Sequence, residues 1–205
     1  MQAVMPRLLA LLMVAAVAGC SSAASEAVSA PTPSSPSCGG TTSDAPAGSA
    51  GQRLSADLDG DGRPDTVVAW DRAGVPVVQA QLATGASTAP EHLFAGDLLS
   101  SADVDGDNRA EVFAGIRADR AIALQLKDCK LQAIQWAVAP RAWEVAVGPG
   151  AALICSAGAR IEEVVTDGPE TIRRAWILKG GVVTGVRPNG SGPAGENAGK
   201  IVCGK

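Results

Sequence analysis

The sequence has no tyrosine, two phenylalanines and a single histidine in 205 residues. That histidine, His92, sits in a polar stretch, Ala89-Pro90-Glu91-His92, which reads as a loop where a solvated imidazole is expected rather than a catalytic one. No G-x-S-x-G occurs, so a nucleophile elbow is excluded. No C-x-x-C occurs either, which argues against a zinc or dithiol site. Gly195-Glu196-Asn197-Ala198-Gly199-Lys200 falls one residue short of a phosphate loop, and Ile201 stands where Ser or Thr belongs. The longest apolar run, Leu8 to Ala18, is about eleven residues, too short to cross a bilayer. Beyond it nothing reads as a long amphipathic helix. Four tryptophans, Trp70, Trp136, Trp143 and Trp176, make up the rest of the aromatic complement. They offer a sugar-stacking platform, although Trp in a short strand is more commonly core.

Residues 1–19 have the layout of a signal peptide, with Arg7 ahead of the apolar run. The run ends in Val17-Ala18-Gly19-Cys20, which resembles the bacterial lipobox. That resemblance implies that Cys20 becomes the first mature residue and carries a lipid, placing the protein on the extracytoplasmic side of the bacterial cell membrane. Residues 20–50 read as a disordered tether: Ser, Ala, Pro, Gly and Thr fill 26 of the 30 positions from 21 to 50. The expected folded domain is 51–205.

Without the signal peptide the chain carries 16 basic and 21 acidic residues, and eight of those acids lie in two short stretches. The acidity is therefore local, and the net charge gives no sign of nucleic-acid binding. The stretches are Asp57-Leu58-Asp59-Gly60-Asp61-Gly62-Arg63-Pro64-Asp65 and, 46 residues on, Asp103-Val104-Asp105-Gly106-Asp107-Asn108-Arg109-Ala110-Glu111. Each has carboxylates at positions 1, 3, 5 and 9. Position 6, Gly62 or Asn108, is a residue type that tolerates a left-handed backbone. A hard cation such as calcium wants six to eight oxygen ligands at roughly 2.3–2.6 Å. A loop turning at position 6 aims Asp57, Asp59 and Asp61, or Asp103, Asp105 and Asp107, at one point. The carbonyl of Arg63 or Arg109 adds an oxygen, and Asp65 or Glu111 closes the shell. An EF-hand needs a Glu at position 12 and a following helix. Position 12 is Val68 or Ala114, and both loops run into short β-forming segments, 66–70 and 112–116.

With that spacing and the strand after it, Ala56 to Val68 resembles the FG-GAP or VCBS repeat, the calcium-loop unit of integrin-alpha-like β-propellers. The second stretch departs at Asn108 and Glu111, where the family has Gly and Asp. The resemblance implies a calcium loop leading into an antiparallel blade, and a role in adhesion or extracellular binding.

Elsewhere, Val78-Gln79-Ala80-Gln81-Leu82 alternates as a half-buried strand does. Ile122 to Leu126, the turn Asp128-Cys129-Lys130 and the return Leu131 to Trp136 read as a hairpin. A third unit is expected from Val145 to Ile154, with Gly148, Pro149 and Gly150 where the ligands were, and Trp176 to Val183 mirrors Leu124 to Leu131. The domain thus reads as all-β, with about three blade-like antiparallel units, the last without a metal site. Closed propellers typically have four to eight blades, so an incomplete propeller, a compact β domain or an oligomer is expected. Ile201-Val202-Cys203 reads as a final strand.

With Cys20 lipidated, Cys38, Cys129, Cys155 and Cys203 remain, and an even count in an exported chain favours two disulfides. Of three possible pairings, the preferred one is Cys129–Cys155 with Cys38–Cys203 joining the ends. The functional expectation is a membrane-tethered calcium-binding module for protein or glycan interaction at the cell envelope. The alternatives are an accessory subunit of an envelope complex and, with less support, a glycan or cell-wall hydrolase. No acid/base pair stands apart from the metal loops, which argues against an enzyme.

Overall fold

The computed structural model describes residues 38, 44–45, 51–92, 97–156, 160–167, 170–186 and 200–203, all of them in the unit Pro33–Lys205. Among them are sixteen β-strands and no helix, so none is long and apolar enough to cross a membrane. The first sheet joins β1 (Gln52–Ala56), β2 (Asp65–Arg72), β3 (Val75–Gln81) and β4 (Glu91–His92) in chain order, each antiparallel to the next. The second repeats that meander with β5 (Asp97–Ala102), β6 (Glu111–Arg117), β7 (Arg120–Lys127) and β8 (Lys130–Ala133). The third contains β12 (Ala151–Ser156), β13 (Arg160–Asp167), β14 (Glu170–Lys179) and β15 (Val182–Val186), again antiparallel in chain order. The expected all-β class, with three blade-like units, is therefore what the chain forms, and no sheet closes into a barrel.

Local chemistry sets the hairpins. Ala73-Gly74, Asp128-Cys129 and Gly180-Gly181 each place two successive residues at positive φ. Paired left-handed residues are the requirement of the tight turn whose twist matches that of the flanking strands.

The second sheet is buried on both faces, and its side chains sort by parity. Val112, Ala114, Ile122, Leu124 and Leu126 share one cluster with Val67, Ala69, Val78 and Ala80 of the first sheet. Phe113, Ala121 and Ala123 face the other way, into a cluster with Leu153, Ile161, Leu178 and Val183 of the third. Two cores thus form on either side of the second sheet. Each fully buried aliphatic or aromatic side chain contributes about 1.5–3 kcal/mol. Truncating Phe113, which has no exposed surface, to Ala is expected to cost about 3–5 kcal/mol.

Several expectations need correction. The return of the hairpin ends at Ala133: the chain leaves the second sheet, and β9 (Gln135–Trp136) and β10 (Ala139–Ala142) extend the third. The chain then re-enters the second sheet as β11 (Glu144–Ala146), beside β7. The cause is burial, since Ile134 and Trp143 are both fully buried in the core between the sheets. The turn at 147–150 connects the second sheet to the third, and the third unit proper begins at Ala151, one strand later than expected. Gln79 is fully buried rather than facing water, because its amide is saturated: Nε2 donates to the Thr88 carbonyl at 2.6 Å. Its Oε1 accepts the backbone N–H groups of Asp44 (3.2 Å) and Ala45 (3.1 Å). Glu91 and His92 belong to β4 rather than a loop, with His92 exposed.

The preferred disulfide pairing is overturned. Cys38 bonds to Cys129, across a Cα–Cα distance of 5.3 Å, not to Cys203. Cys129 therefore cannot bond to Cys155. The reason is the turn: Cys129 sits at the tip of the β7–β8 hairpin, and Cys38 is buried in the core between the first two sheets. Cys155 is also disulfide-bonded, and the residue opposite it in the parallel β12–β16 register is Cys203; β16 is Ile201–Cys203. Cys38, Asp44 and Ala45, expected in the tether, are thus fastened to the domain by a disulfide and by Gln79, with an Arg72–Asp44 ion pair at 3.5 Å. The signal segment, Cys20 and the glycine-rich stretch at 187–199 lie outside the described residues.

Candidate metal centre

The two acidic stretches are the connections from β1 to β2 and from β5 to β6, so equivalent elements hold both. The internal hydrogen bonds of the first loop recur in the second with the 46-residue offset, and the second adds one from Asp107 N–H to Asp103 Oδ1 at 3.2 Å. Gly60 N–H donates to Asp57 Oδ1 (2.9 Å), as Gly106 N–H does to Asp103 Oδ1 (2.7 Å). Gly62 N–H and Asn108 N–H each donate, at 3.0 Å, to the other oxygen of the same first Asp. Asp61 N–H reaches Asp59 at 3.2 Å and Asp107 N–H reaches Asp105 at 3.3 Å. Arg63 N–H and Arg109 N–H donate to Asp61 and Asp107, both at 2.8 Å. The backbone follows suit: φ is +77° at Gly60 and at Gly106, +80° at Gly62 and +68° at Asn108. Asn108 therefore makes the left-handed turn that Gly62 makes, at the modest cost an Asn pays there.

In the first loop Asp57, Asp59 and Asp61 each bring an oxygen into a group whose members lie within 4.8 Å of one another. Asp65 does not join it. As the first residue of β2, Asp65 is 1% exposed, with Oδ2 accepting Leu58 N–H and Oδ1 accepting Ala83 N–H, both at 2.8 Å. It braces the loop instead of closing a shell. In the second loop the group is Asp103, Asp105 and Glu111. Glu111 takes the bracing bond too, accepting Val104 N–H at 2.9 Å, but its extra methylene also lets it reach the group. Asp107 stays outside it. Of the two arginines at position 7, Arg63 sends its guanidinium to the Ala83 carbonyl at 2.7 Å.

The electrostatics are those of crowded carboxylates, with Arg63 at 4.0 Å from Asp61. Burial raises the Asp59 carboxyl above its ordinary value, and the charges of Asp65, Asp61 and Asp57 add to the rise. Asp105 is raised by burial and then by Asp107. Glu111 is pushed up to about 8, first by burial and then by Asp105, Asp107 and Asp103, against the lowering effect of the Val104 N–H. Asp59 is 2% exposed, and its Oδ2 is buried with no hydrogen-bond partner. A buried carboxylate oxygen without a donor is costly, and a cation is the partner that would remove that cost. Both clusters could hold a metal ion.

The loops also touch. Ala110 N–H donates to the Asp57 carbonyl at 2.7 Å, so the end of the second loop rests on the start of the first. The bracing role of Asp65 and Glu111 escaped the sequence reading. Its signal was position: the ninth residue is also the first residue of the next strand, so its side chain turns back over the loop. Comparison with protein-family models, curated proteins and solved structures returns no match.

Proposed function

We propose that the chain is a calcium-stabilised binding module of the FG-GAP/VCBS type, held at the extracytoplasmic face of a bacterial membrane by a lipid on Cys20. The observation that carries the metal part is the buried, unpartnered Oδ2 of Asp59, one of three carboxylates that bring oxygens within 4.8 Å of one another. Calcium suits the cluster because two oxygens at roughly 2.3–2.6 Å from one ion can lie up to about 5 Å apart. Smaller magnesium holds its ligands at about 2.0–2.1 Å and demands near-ideal octahedral geometry. Metal in both loops fixes the entry into β2 and β6 and thereby the packing of the first two sheets. The module then presents its sheet surfaces and loops to a protein or glycan of the cell envelope.

The test is thermal melting of the mature chain in chelator, in about 5 mM calcium and in about 5 mM magnesium. Extracellular calcium modules typically bind at about 10⁻⁴–10⁻³ M, so calcium is expected to add about 1–2 kcal/mol by mass action. An unchanged melt in calcium, or an equal shift with magnesium, overturns the reading.

A further inference from the structure

Away from the acidic loops, a cavity of about 410 Å³ opens between the second and third sheets. Four arginines from four strands line it: Arg117 on β6, Arg120 on β7, Arg141 on β10 and Arg174 on β14. Only two carboxylates share the lining, and both are engaged. Glu144 pairs with Arg117 at 2.9 Å. Glu163, 1% exposed, accepts Ala146 N–H at 2.7 Å and pairs with Arg174 at 3.2 Å. Arg120 and Arg141 are left over. The nearest acid to Arg120 is its exposed neighbour Asp119, at 4.0 Å. Arg141 lies over the Trp136 ring, 5.8 Å from its centroid. Among the described residues Arg141 has no carboxylate within 4.0 Å, and Arg120 has only that of Asp119.

The other wall is aromatic. Trp136 and Trp176 meet edge to face, with centroids 4.8 Å apart. The indole N–H of Trp176 is buried with no acceptor. A buried donor without a partner is uncommon and asks for one. Arg141, with no carboxylate partner among the described residues, and Arg120, with only the exposed Asp119 at 4.0 Å, call for an acceptor carrying negative charge, and arginine matches carboxylate and phosphate oxygens in a bidentate fork. A bare oxyanion would leave most of the cavity unfilled, since pockets of about 300–1,000 Å³ suit small organic ligands. An indole wall suits a body with apolar C–H faces.

We infer that this cavity binds an acidic saccharide unit, with its carboxylate or phosphate held by Arg120 and Arg141 and its ring against Trp136 and Trp176. The site does not depend on the calcium loops, so either reading can fail alone. It would make the glycan, rather than a protein, the partner of the module.

The experiment uses the mature protein in calcium and follows tryptophan fluorescence and titration calorimetry. The probes are glucuronate and glucose 1-phosphate, with glucose and inorganic phosphate as controls. Saturable binding of at least one acidic sugar, tighter than either control, supports the inference, and the two sugars separate carboxylate from phosphate recognition. The double variant R120Q/R141Q should weaken that binding roughly tenfold or more, since each lost bond is charge-assisted. A melting temperature and far-ultraviolet circular dichroism spectrum unchanged from the parent show that the variant's fold is intact. R120K/R141K, which keeps the charge but not the fork, should recover only part of the affinity. No binding of either acidic sugar, equal binding of glucose, phosphate binding as tightly as the sugars, or no loss in the double variant overturns the inference.

Discussion

Replacing Asp59 with Asn should change stability in opposite directions in metal-free and metal-loaded protein, and that inversion would separate a metal site from a merely acidic turn. Asn is nearly isosteric and keeps an oxygen to accept Asp61 N–H, the bond now made at 3.2 Å. It removes a buried charge surrounded by Asp57, Asp61 and Asp65, and it supplies an N–H₂ donor close to their oxygens. In chelator the variant should therefore be more stable than the parent, by about 1–3 kcal/mol, the cost of leaving a buried polar group unsatisfied. In about 5 mM calcium the order should reverse. The parent gains about 1–2 kcal/mol by mass action, while the variant has lost a charged ligand and gains little at the first loop. For a domain of this size 1 kcal/mol moves the melting temperature by about 2–4 °C, so both shifts are measurable. The assay is differential scanning calorimetry of the two proteins in chelator and in calcium. If D59N melts below the parent in chelator, the orphan oxygen is not a destabilising feature. If calcium raises both proteins equally, Asp59 is not a ligand.

Further outcomes follow from the same structure. Non-reducing peptide mapping should recover Cys38 linked to Cys129 and Cys155 linked to Cys203, and any Cys129–Cys155 peptide contradicts the fold. Cys129→Ala opens a 91-residue separation whose closure is worth about 4–5 kcal/mol by loop entropy, and should lower the melting temperature by about 10–15 °C. In chelator, stability should fall as pH rises between about 4.5 and about 8. Glu111 binds its proton more tightly folded than unfolded, so its contribution is full below the unfolded value and gone above the folded one. Melts across that range should show a slope that E111Q flattens and calcium suppresses; a stability that instead rises with pH in wild type contradicts the burial of Glu111. Cys20→Ser should move the exported protein from the membrane fraction to the soluble one, and retention at the membrane would point to some other anchor.

Legibility in the sequence followed how local the determining physics was. The acidic loops were readable because spacing brings carboxylates together locally, and Asn108 was rightly given the left-handed turn. That Asp65 and Asp107 stay outside the groups was not readable, since the same spacing gathers Asp57, Asp59 and Asp61 in one loop and Asp103, Asp105 and Glu111 in the other. The Asp128-Cys129 hairpin tip was readable for a similar reason. What failed was non-local. Gln79 looked like the wet side of a strand, since nothing near it in sequence reveals that Asp44, Ala45 and Thr88 saturate its amide. Nothing within the stretch Ile122 to Leu126 announced that β7 has a second buried face. The small Ala121 and Ala123 were in fact room left for the third sheet. The excursion through β9 and β10 depends on Ile134 and Trp143 finding a core supplied by strands still to come. Disulfide pairing is non-local by nature, and the arginine-lined cavity draws on four strands that no sequence window contains.

The third unit shows why it can dispense with a metal loop. In the first two sheets the opening strand is joined to the next by an eight-residue acidic loop, and the brace from Asp65 or Glu111, the first residue of the following strand, holds that loop over its start. In the third sheet β12 is fastened by other means. On one side it pairs with β13, and on the other with β16 in parallel, which aligns Cys155 with Cys203. Glu163 of β13 adds a buried clamp, tying β11 of the second sheet to Arg174 of β14. A covalent bond and a partly buried ion pair do not depend on calcium in the medium, whereas the metal proposed for the acidic loops does. Calcium should therefore order the β1–β2 and β5–β6 connections selectively, with hydrogen-exchange protection rising on β2 and β6 and staying level on β12 and β13. Equal gains across all three sheets would mean that the metal acts on the whole stack at once, and that the third unit is not independently fastened.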